Sequence, residues 1–171
     1  MGDAKKLFRK RGRITTAIII GDAAERYAGA VYRLAYSRTG NRPDADDVTQ
    51  EVFLRLVKNS GKIQDEEHLK AWLIRATLNR CNSLARSAWR RHTAPLPDDI
   101  PYEDGESRDV SRCVAALPQN YRAVIHLFYY EDLPVAEIAA LMRARESTVR
   151  TWLTRARAML RQSLREEYDD L

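Results

Sequence analysis

The chain has 171 residues and carries 29 lysines and arginines against 24 aspartates and glutamates, which gives a net charge of +5. Hydrophobic residues make up 44% of the sequence and charged residues 31%, a composition that indicates a globular protein and excludes a disordered one. Two cysteines exclude a disulfide scaffold, and three scattered histidines give no metal-binding spacing. We therefore expect a cytoplasmic protein without a metal or cofactor.

The charge is distributed unevenly along the chain. Residues 1–92 contain 19 basic and 10 acidic residues, residues 93–109 contain 1 and 6, and residues 110–171 contain 9 and 8. The acidic stretch includes three prolines and one glycine and has no helical periodicity, which is typical of a flexible linker. We predict a basic tail, a first domain, an acidic linker and a second domain, at 1–21, 22–92, 93–108 and 109–171.

The first domain begins with two predicted helices, one over 22–38 and one from Asp44. The second buries a regular apolar stripe and places a ridge of acids, an amide and a leucine on its other side, which we name the acidic ridge: Asp47, Gln50, Glu51 and Leu54. A leucine within such a ridge is typical of a protein-binding face. The alternative is that the acids only favour the helix N-terminus and that Leu54 is an ordinary exposed leucine, and the residues alone favour this alternative.

A longer helix is predicted over 68–91, with an apolar face that includes Cys81. Its opposite face carries basic groups, amides and a tryptophan over five turns, which we name the α-helical stripe: Trp72, Arg75, Asn79, Asn82, Arg86 and Arg90. Such a face suits backbone phosphates and stacking on bases. For Trp72, packing against the preceding helices is an equal alternative.

The last third of the chain has a helix-turn-helix pattern. A short helix over 133–142 is followed by a turn from Arg143, Ser147 is the predicted N-cap, and the next helix has an apolar face from Val149 to Leu164. Its remaining faces are lined by arginine and hydroxyl groups, which indicates a helix that enters a DNA major groove. The alternative is a solvated surface helix, since arginine is a good helix former. The fold is therefore predicted to be all-α.

Four stretches together resemble the extracytoplasmic-function (ECF) group of bacterial RNA polymerase sigma factors. They occur in the family's order and spacing and cover most of residues 22–166: DADDVTQEVFLRLVK (44–58), EHLKAWLIRATLNRCNSLARSAWRR (67–91), LPQNYRAVIHLFYYEDLPVAEIAALM (117–142) and STVRTWLTRARAMLRQSL (147–164).

The resemblance implies two helical domains that bring core RNA polymerase to promoter DNA without catalytic chemistry. It implies that the acidic ridge docks on the clamp helices of the largest polymerase subunit and that the α-helical stripe reads the −10 element. The loop over 58–67 matches the segment that holds a flipped-out base, and the acidic linker matches the segment threaded near the RNA path. It also implies an anti-sigma factor partner, often a membrane protein, and no small-molecule substrate.

The helix over 147–164 matches the reader of the −35 element. We expect base contacts from its outer face and phosphate contacts mainly from two further arginines: Arg145, Ser147, Thr148, Arg150, Thr151 and Arg155, then Arg157 and Arg161. Two residues here depart from the family's pattern. Arg143 occupies a turn position that usually holds glycine, and Trp152 occupies a position that is commonly polar. Either the turn avoids positive φ or Arg143 adopts one, and Trp152 is expected to pack at the rim of the apolar face.

Two other functions are alternatives on the sequence. One is a helix-turn-helix regulator that binds DNA without polymerase and uses its first domain for sensing or dimerisation. The other is a metal-dependent nuclease that uses the carboxylates at the start of the second helix, namely Asp44, Asp46, Asp47 and Glu51.

Overall fold

The computed structural model describes residues 13–91 and 108–169. In these two ranges there are seven α-helices, one short 3₁₀-helix and no strand, which confirms the predicted all-α class. The elements are α1 (Arg13–Thr39), α2 (Arg42–Asn59), the 3₁₀-helix (Ser60–Lys62), α3 (Glu66–Arg91), α4 (Arg108–Ala116), α5 (Gln119–Tyr129), α6 (Val135–Met142) and α7 (Glu146–Asp169).

The first compact unit contains residues 13–35 and 43–91, which form most of α1 together with α2 and α3. Each helix buries the apolar face that its periodicity predicts, so that removing these side chains from water stabilises the unit. Thr77 is fully buried in α3 and its hydroxyl donates to the Leu73 carbonyl at 2.7 Å, which satisfies its polar atom. The fully buried large side chains are Leu34, Val48, Val52, Leu56, Leu73, Leu78 and Cys81.

The second unit contains residues 36–42 and 108–169. Helices α4, α5 and α6 pack on α7, whose buried face includes Val149, Leu153 and Ala156. Within this unit the Arg122 guanidinium donates to three backbone carbonyls, those of Ser37, of Ala115 at 2.6 Å and of Leu117 at 3.3 Å. Burial lowers the pKa of Arg122 from its ordinary value, because water is removed from the charged group.

The predicted break after α1 is confirmed at Gly40 and Asn41, whereas Arg42 and Pro43 already belong to α2, which begins two residues before the predicted Asp44. Gly40 has a φ of 74° and its N–H donates to the Tyr36 carbonyl at 2.8 Å, the conformation that glycine adopts at low cost after a helix. Pro43 then lies in the first turn of α2, where its missing N–H leaves no hydrogen bond unmade.

All five predicted helices start at residues other than those predicted, with α2 and α3 beginning two residues earlier and α6 two residues later. Helix α1 begins at Arg13, so residues 13–21 of the predicted tail are helical. The helix continues through Gly21, because a glycine inside a helix costs only about 1 kcal/mol relative to alanine. Helix α7 begins at Glu146, so Ser147 lies in its first turn and the predicted N-cap is wrong. Glu146 suits that turn, where a negative charge interacts favourably with the helix dipole.

Residues 1–12 of the predicted tail and residues 92–107, which include nearly all of the predicted linker, lie outside the described residues. Among the helices that are described, none is both long enough and apolar enough to cross a lipid bilayer.

Candidate nucleic-acid interface

The turn between α6 and α7 is closed by an arginine in the left-handed region. Arg143 has φ 54° and ψ 42°, and the next N–H, that of Ala144, donates to the Ala139 carbonyl at 2.9 Å. This is the hydrogen bonding that glycine usually supports at a helix C-terminus. Of the two possibilities left by the sequence, Arg143 therefore adopts positive φ rather than avoiding it.

The first turns of α7 present the side chains predicted to read the −35 element. The Arg150 guanidinium pairs with the Glu146 carboxylate at 3.0 Å, and both groups are largely exposed. The Thr151 hydroxyl donates to the Ser147 carbonyl at 2.9 Å, which leaves its oxygen lone pairs facing outward as acceptors. Of the residues predicted to contact −35 bases, Thr148 is half-buried and the others are exposed, namely Arg145, Ser147, Arg150, Thr151 and Arg155.

Two further arginines of α7 point toward a different surface. The Arg157 Nε donates to the Tyr129 hydroxyl at 2.8 Å, and its guanidinium lies 5.4 Å from the centroid of the Phe128 ring. Arg161 lines a cavity of about 680 Å³ between α4, α5 and α7, whose walls include Leu160. Arg157 is thus held by its own unit, unlike Arg155 two residues earlier. Trp152 is half-buried, as expected for packing at the rim.

The α-helical stripe runs along α3. Arg75 and Arg86 are exposed, and Trp72, Asn79 and Asn82 are half-buried, so their edges remain accessible. Arg90 lies in the same helix, and its side chain is outside the described part of the structure. The half-burial of Trp72 leaves both of its interpretations open, since one edge packs and another is accessible.

The acidic ridge on α2 divides into outward-facing and internally paired members. Leu54 is 59% exposed, and Asp47 and Gln50 are exposed as well. The Glu51 carboxylate instead forms ion pairs with Arg55 on the same helix and with Arg80 on α3. A paired carboxylate is poorly suited to bind a metal ion, which weighs against the nuclease alternative.

Family models match both parts of the chain. The model described as Sigma-70 region 2 matches residues 23–91, and the model described as Sigma-70, region 4 matches residues 107–160. The ECF RNA polymerase sigma factor SigL of Mycobacterium tuberculosis is 30% identical over 153 residues, which cover 83% of this chain and 86% of SigL. The chain belongs to the ECF sigma factors.

The chain is also similar to other sigma factors in sequence and in fold. The ECF sigma factor SigE of Mycolicibacterium smegmatis is 33% identical over 84% of this chain, which spans 60% of the length of SigE. Among solved structures, the sigma factor RpoE of Bartonella quintana, in complex with the anti-sigma factor NepR, has a TM-score of 0.72 at 20% identity. That match covers 85% of this chain and 96% of the RpoE chain, and it supports the fold.

In this ECF sigma factor, four residues to which we assigned no role from the sequence fix the loop before α3, namely Asp65, Tyr27, Glu66 and Arg26. The Asp65 carboxylate accepts the His68 N–H at 2.7 Å and so caps α3. The Tyr27 hydroxyl on α1 donates to Glu66 at 2.9 Å, and Arg26 pairs with the same carboxylate. Burial, followed by the hydrogen bond and charge of Glu66, raises the pKa of Tyr27 to about 12.

The Asp65 cap had a sequence signal, because an aspartate at the start of an apolar-periodic run is a common N-cap. The contact between Tyr27 and Glu66 had none, since 39 residues separate the partners. Val57, which is 52% exposed three residues after Leu54, was also missed, although its spacing from Leu54 places it on the same side of α2.

Proposed function

We propose that this chain is a promoter-specificity subunit that binds core RNA polymerase, directs it to promoters and supports promoter opening. The observation that carries the proposal is the presence of three distinct surfaces on the two sigma-70 regions, namely the outer face of α7, the α-helical stripe and the acidic ridge. The division into a first domain over 22–92 and a second over 109–171, with an acidic linker between them, is part of this proposal.

The outer face of α7 reads the −35 element. Exposed arginine and hydroxyl groups at the N-terminal end of a recognition helix reach base edges in the major groove, where guanidinium groups recognise guanine. The Arg150–Glu146 pair is no obstacle, because an exposed ion pair contributes only about 0.2–1 kcal/mol and is exchanged readily for a DNA contact. Arg157 and Arg161 act on phosphates, with Arg157 first released from Tyr129.

The α-helical stripe reads the −10 element and supports strand opening. Arg75, Arg86 and Arg90 neutralise phosphates, while Asn79 and Asn82 present amide groups to base edges and the accessible part of the Trp72 ring stacks on a base. The segment over 58–67, in which the 3₁₀-helix and the following residues link α2 to α3, holds a flipped-out base. Its exit is fixed by the Asp65 cap and by the contact of Glu66 with Tyr27, so the loop is preorganised for that base.

The acidic ridge docks on core polymerase. Leu54 provides an exposed apolar group flanked by Asp47 and Gln50, an arrangement that suits a basic and apolar helical partner. Because the proposed partner is RNA polymerase, we place this protein in the cytoplasm, where polymerase acts. The chain acts through binding, and we assign it no enzymatic activity.

An anti-sigma factor is the proposed regulator. The structure of Bartonella RpoE contains such a protein, NepR, and its sigma factor shares the present fold. An inhibitor that covers the acidic ridge or the outer face of α7 would prevent binding of polymerase or DNA by occlusion. Affinity purification from the source cell identifies the polymerase and the inhibitor in one step.

The function is tested by run-off transcription with core polymerase and promoter templates. Transcripts that depend on this protein are the expected result, and a Leu54→Ala variant should reduce them, because the exposed leucine is the apolar centre of the docking surface. Transcription that is the same with and without the protein would refute the proposal. Tight binding to duplex promoter DNA without polymerase would instead favour the alternative of a polymerase-independent regulator.

A further inference from the structure

One member of the acidic ridge is committed to contacts inside its own unit. The Glu51 carboxylate faces the Arg80 Nε of α3 and also pairs with Arg55. The Asp47 carboxylate lies 4.0 Å from the Arg80 Nη2. The Glu51 side chain is 32% exposed, whereas that of Asp47 is 66% exposed. Glu51 therefore differs from the ridge members that face solvent.

Arg80 occupies the flank of α3 between its core face and the α-helical stripe. Its side chain is only 20% exposed, so its guanidinium has lost much of its hydration and depends on acidic partners. The Arg80 Nε is buried and makes no hydrogen bond to the described residues, so the attraction of its positive charge for Glu51 and Asp47 is what links it to α2. Arg80 thus joins the helix that carries the acidic ridge to the helix that carries the α-helical stripe.

We propose that Arg80 is a positioning residue for polymerase binding. It holds Glu51, and through it the acidic ridge on α2, in one orientation relative to α3, so that the polymerase-docking and −10-reading surfaces form one rigid body. Glu51 then contributes to polymerase binding through Arg80, and direct contact comes from Asp47, Gln50 and Leu54. This inference rests on the proposed function of the ridge.

If Glu51 touched polymerase directly instead, the Arg80→Gln variant would change polymerase affinity in the opposite direction. If Glu51 contacted polymerase directly, Arg80 would compete for its carboxylate, and Arg80→Gln would leave binding unchanged or tighten it. If Arg80 positions the ridge, the same substitution weakens binding. The matched control is Arg55→Gln, which removes the other cation from Glu51 without breaking a contact between helices.

The test measures the affinity of the full chain for core RNA polymerase by titrating the fluorescently labelled protein. Arg80→Gln and Glu51→Gln should each weaken binding by about fivefold or more, and the double variant should be no weaker than either single one, because both remove the same interaction. Arg55→Gln should stay within about twofold.

Each variant is also unfolded in urea, and affinities are compared under conditions where all are folded, so that lost stability alone does not alter them. Should Arg80→Gln fail to fold, Arg80→Lys replaces it and should weaken binding by a smaller factor, because it keeps the positive charge but not the shape of the guanidinium group. Unchanged or tighter binding by the Arg80 variant overturns the inference. An original protein that does not bind core polymerase overturns the proposed function, and this inference with it.

Discussion

Arg143 shows how a single residue can be placed against its own backbone preference. It is an exposed residue with φ 54° at the end of α6, a conformation that costs a non-glycine residue about 1–2 kcal/mol. The sequence marked this position, because the family usually has glycine there. It did not decide the φ, since an arginine can also be accommodated by a turn of another type.

We expect Arg143→Gly to raise the free energy of unfolding by about 1 kcal/mol, because the positive φ is then unstrained and the gain exceeds the added entropy of the unfolded chain. Urea denaturation followed by circular dichroism measures the change. The control is Arg145→Gly, two residues later and also exposed, where φ is not positive, so the same substitution should destabilise. Equal effects of the two variants would contradict this account.

Tyr27 gives a pH dependence with a defined sign. Its pKa in the folded protein is raised to about 12 from the ordinary 10.0, so the unfolded chain loses this proton first. The stability contributed by the hydroxyl is therefore fully present below about pH 10 and is lost as the pH rises toward 12. Tyr27→Phe should lower the free energy of unfolding at neutral pH by about 0.5–1 kcal/mol.

The difference in stability between the original protein and Tyr27→Phe should shrink between pH 10 and pH 12, and urea denaturation across this range measures it. Comparing the two proteins cancels the effect on stability of ionising the other tyrosines, since both proteins contain them. A difference that stays constant up to pH 12 would show that the hydrogen bond to Glu66 does not control the ionisation of Tyr27.

At the scale of elements, α7 carries arginines with different tasks on neighbouring faces. Arg155 and Arg157 are both exposed, but only Arg157 of these two is bound to Tyr129 and lies over the Phe128 ring on α5. Helical periodicity placed both arginines on the polar side of α7. It did not show which of them meets another helix, because this depends on how α5 packs.

We therefore expect Arg157→Ala to destabilise the protein by about 1 kcal/mol through loss of the cation–π contact and the hydrogen bond. Arg155→Ala should leave stability within about 0.5 kcal/mol and weaken promoter binding by the polymerase complex. Urea denaturation and promoter binding, measured on both variants, separate the two roles. A destabilisation by Arg155→Ala as large as that by Arg157→Ala would contradict the assignment.

At the scale of the whole molecule, we propose that promoter selectivity depends on both DNA-reading surfaces, the outer face of α7 and the α-helical stripe. Arg150→Ala should cost about 1–3 kcal/mol at promoters with the preferred −35 base and less at others, if its guanidinium reads a base edge. Arg161→Ala should weaken binding at all promoters alike and reduce the dependence on salt by about one phosphate contact.

These two variants are compared with polymerase on a set of promoters that differ only in the −35 element, at two salt concentrations. Each variant is a control for the other, because both residues lie on the same helix and both are exposed. A uniform loss from Arg150→Ala would place it on the backbone rather than on a base.

The sequence by itself determined the buried faces of α2, α3 and α7 and the family, because helical periodicity and motif spacing are local properties of the chain. It also indicated the outer face of α7 and the α-helical stripe. It did not predict α4 or α5. Only the tertiary structure decided which polar groups are used internally: Glu51 by Arg80, Glu66 by Tyr27, and Arg157 by Tyr129. These pairs join residues 28 or more positions apart, and such contacts depend on which helix lies alongside, a property that no local pattern encodes.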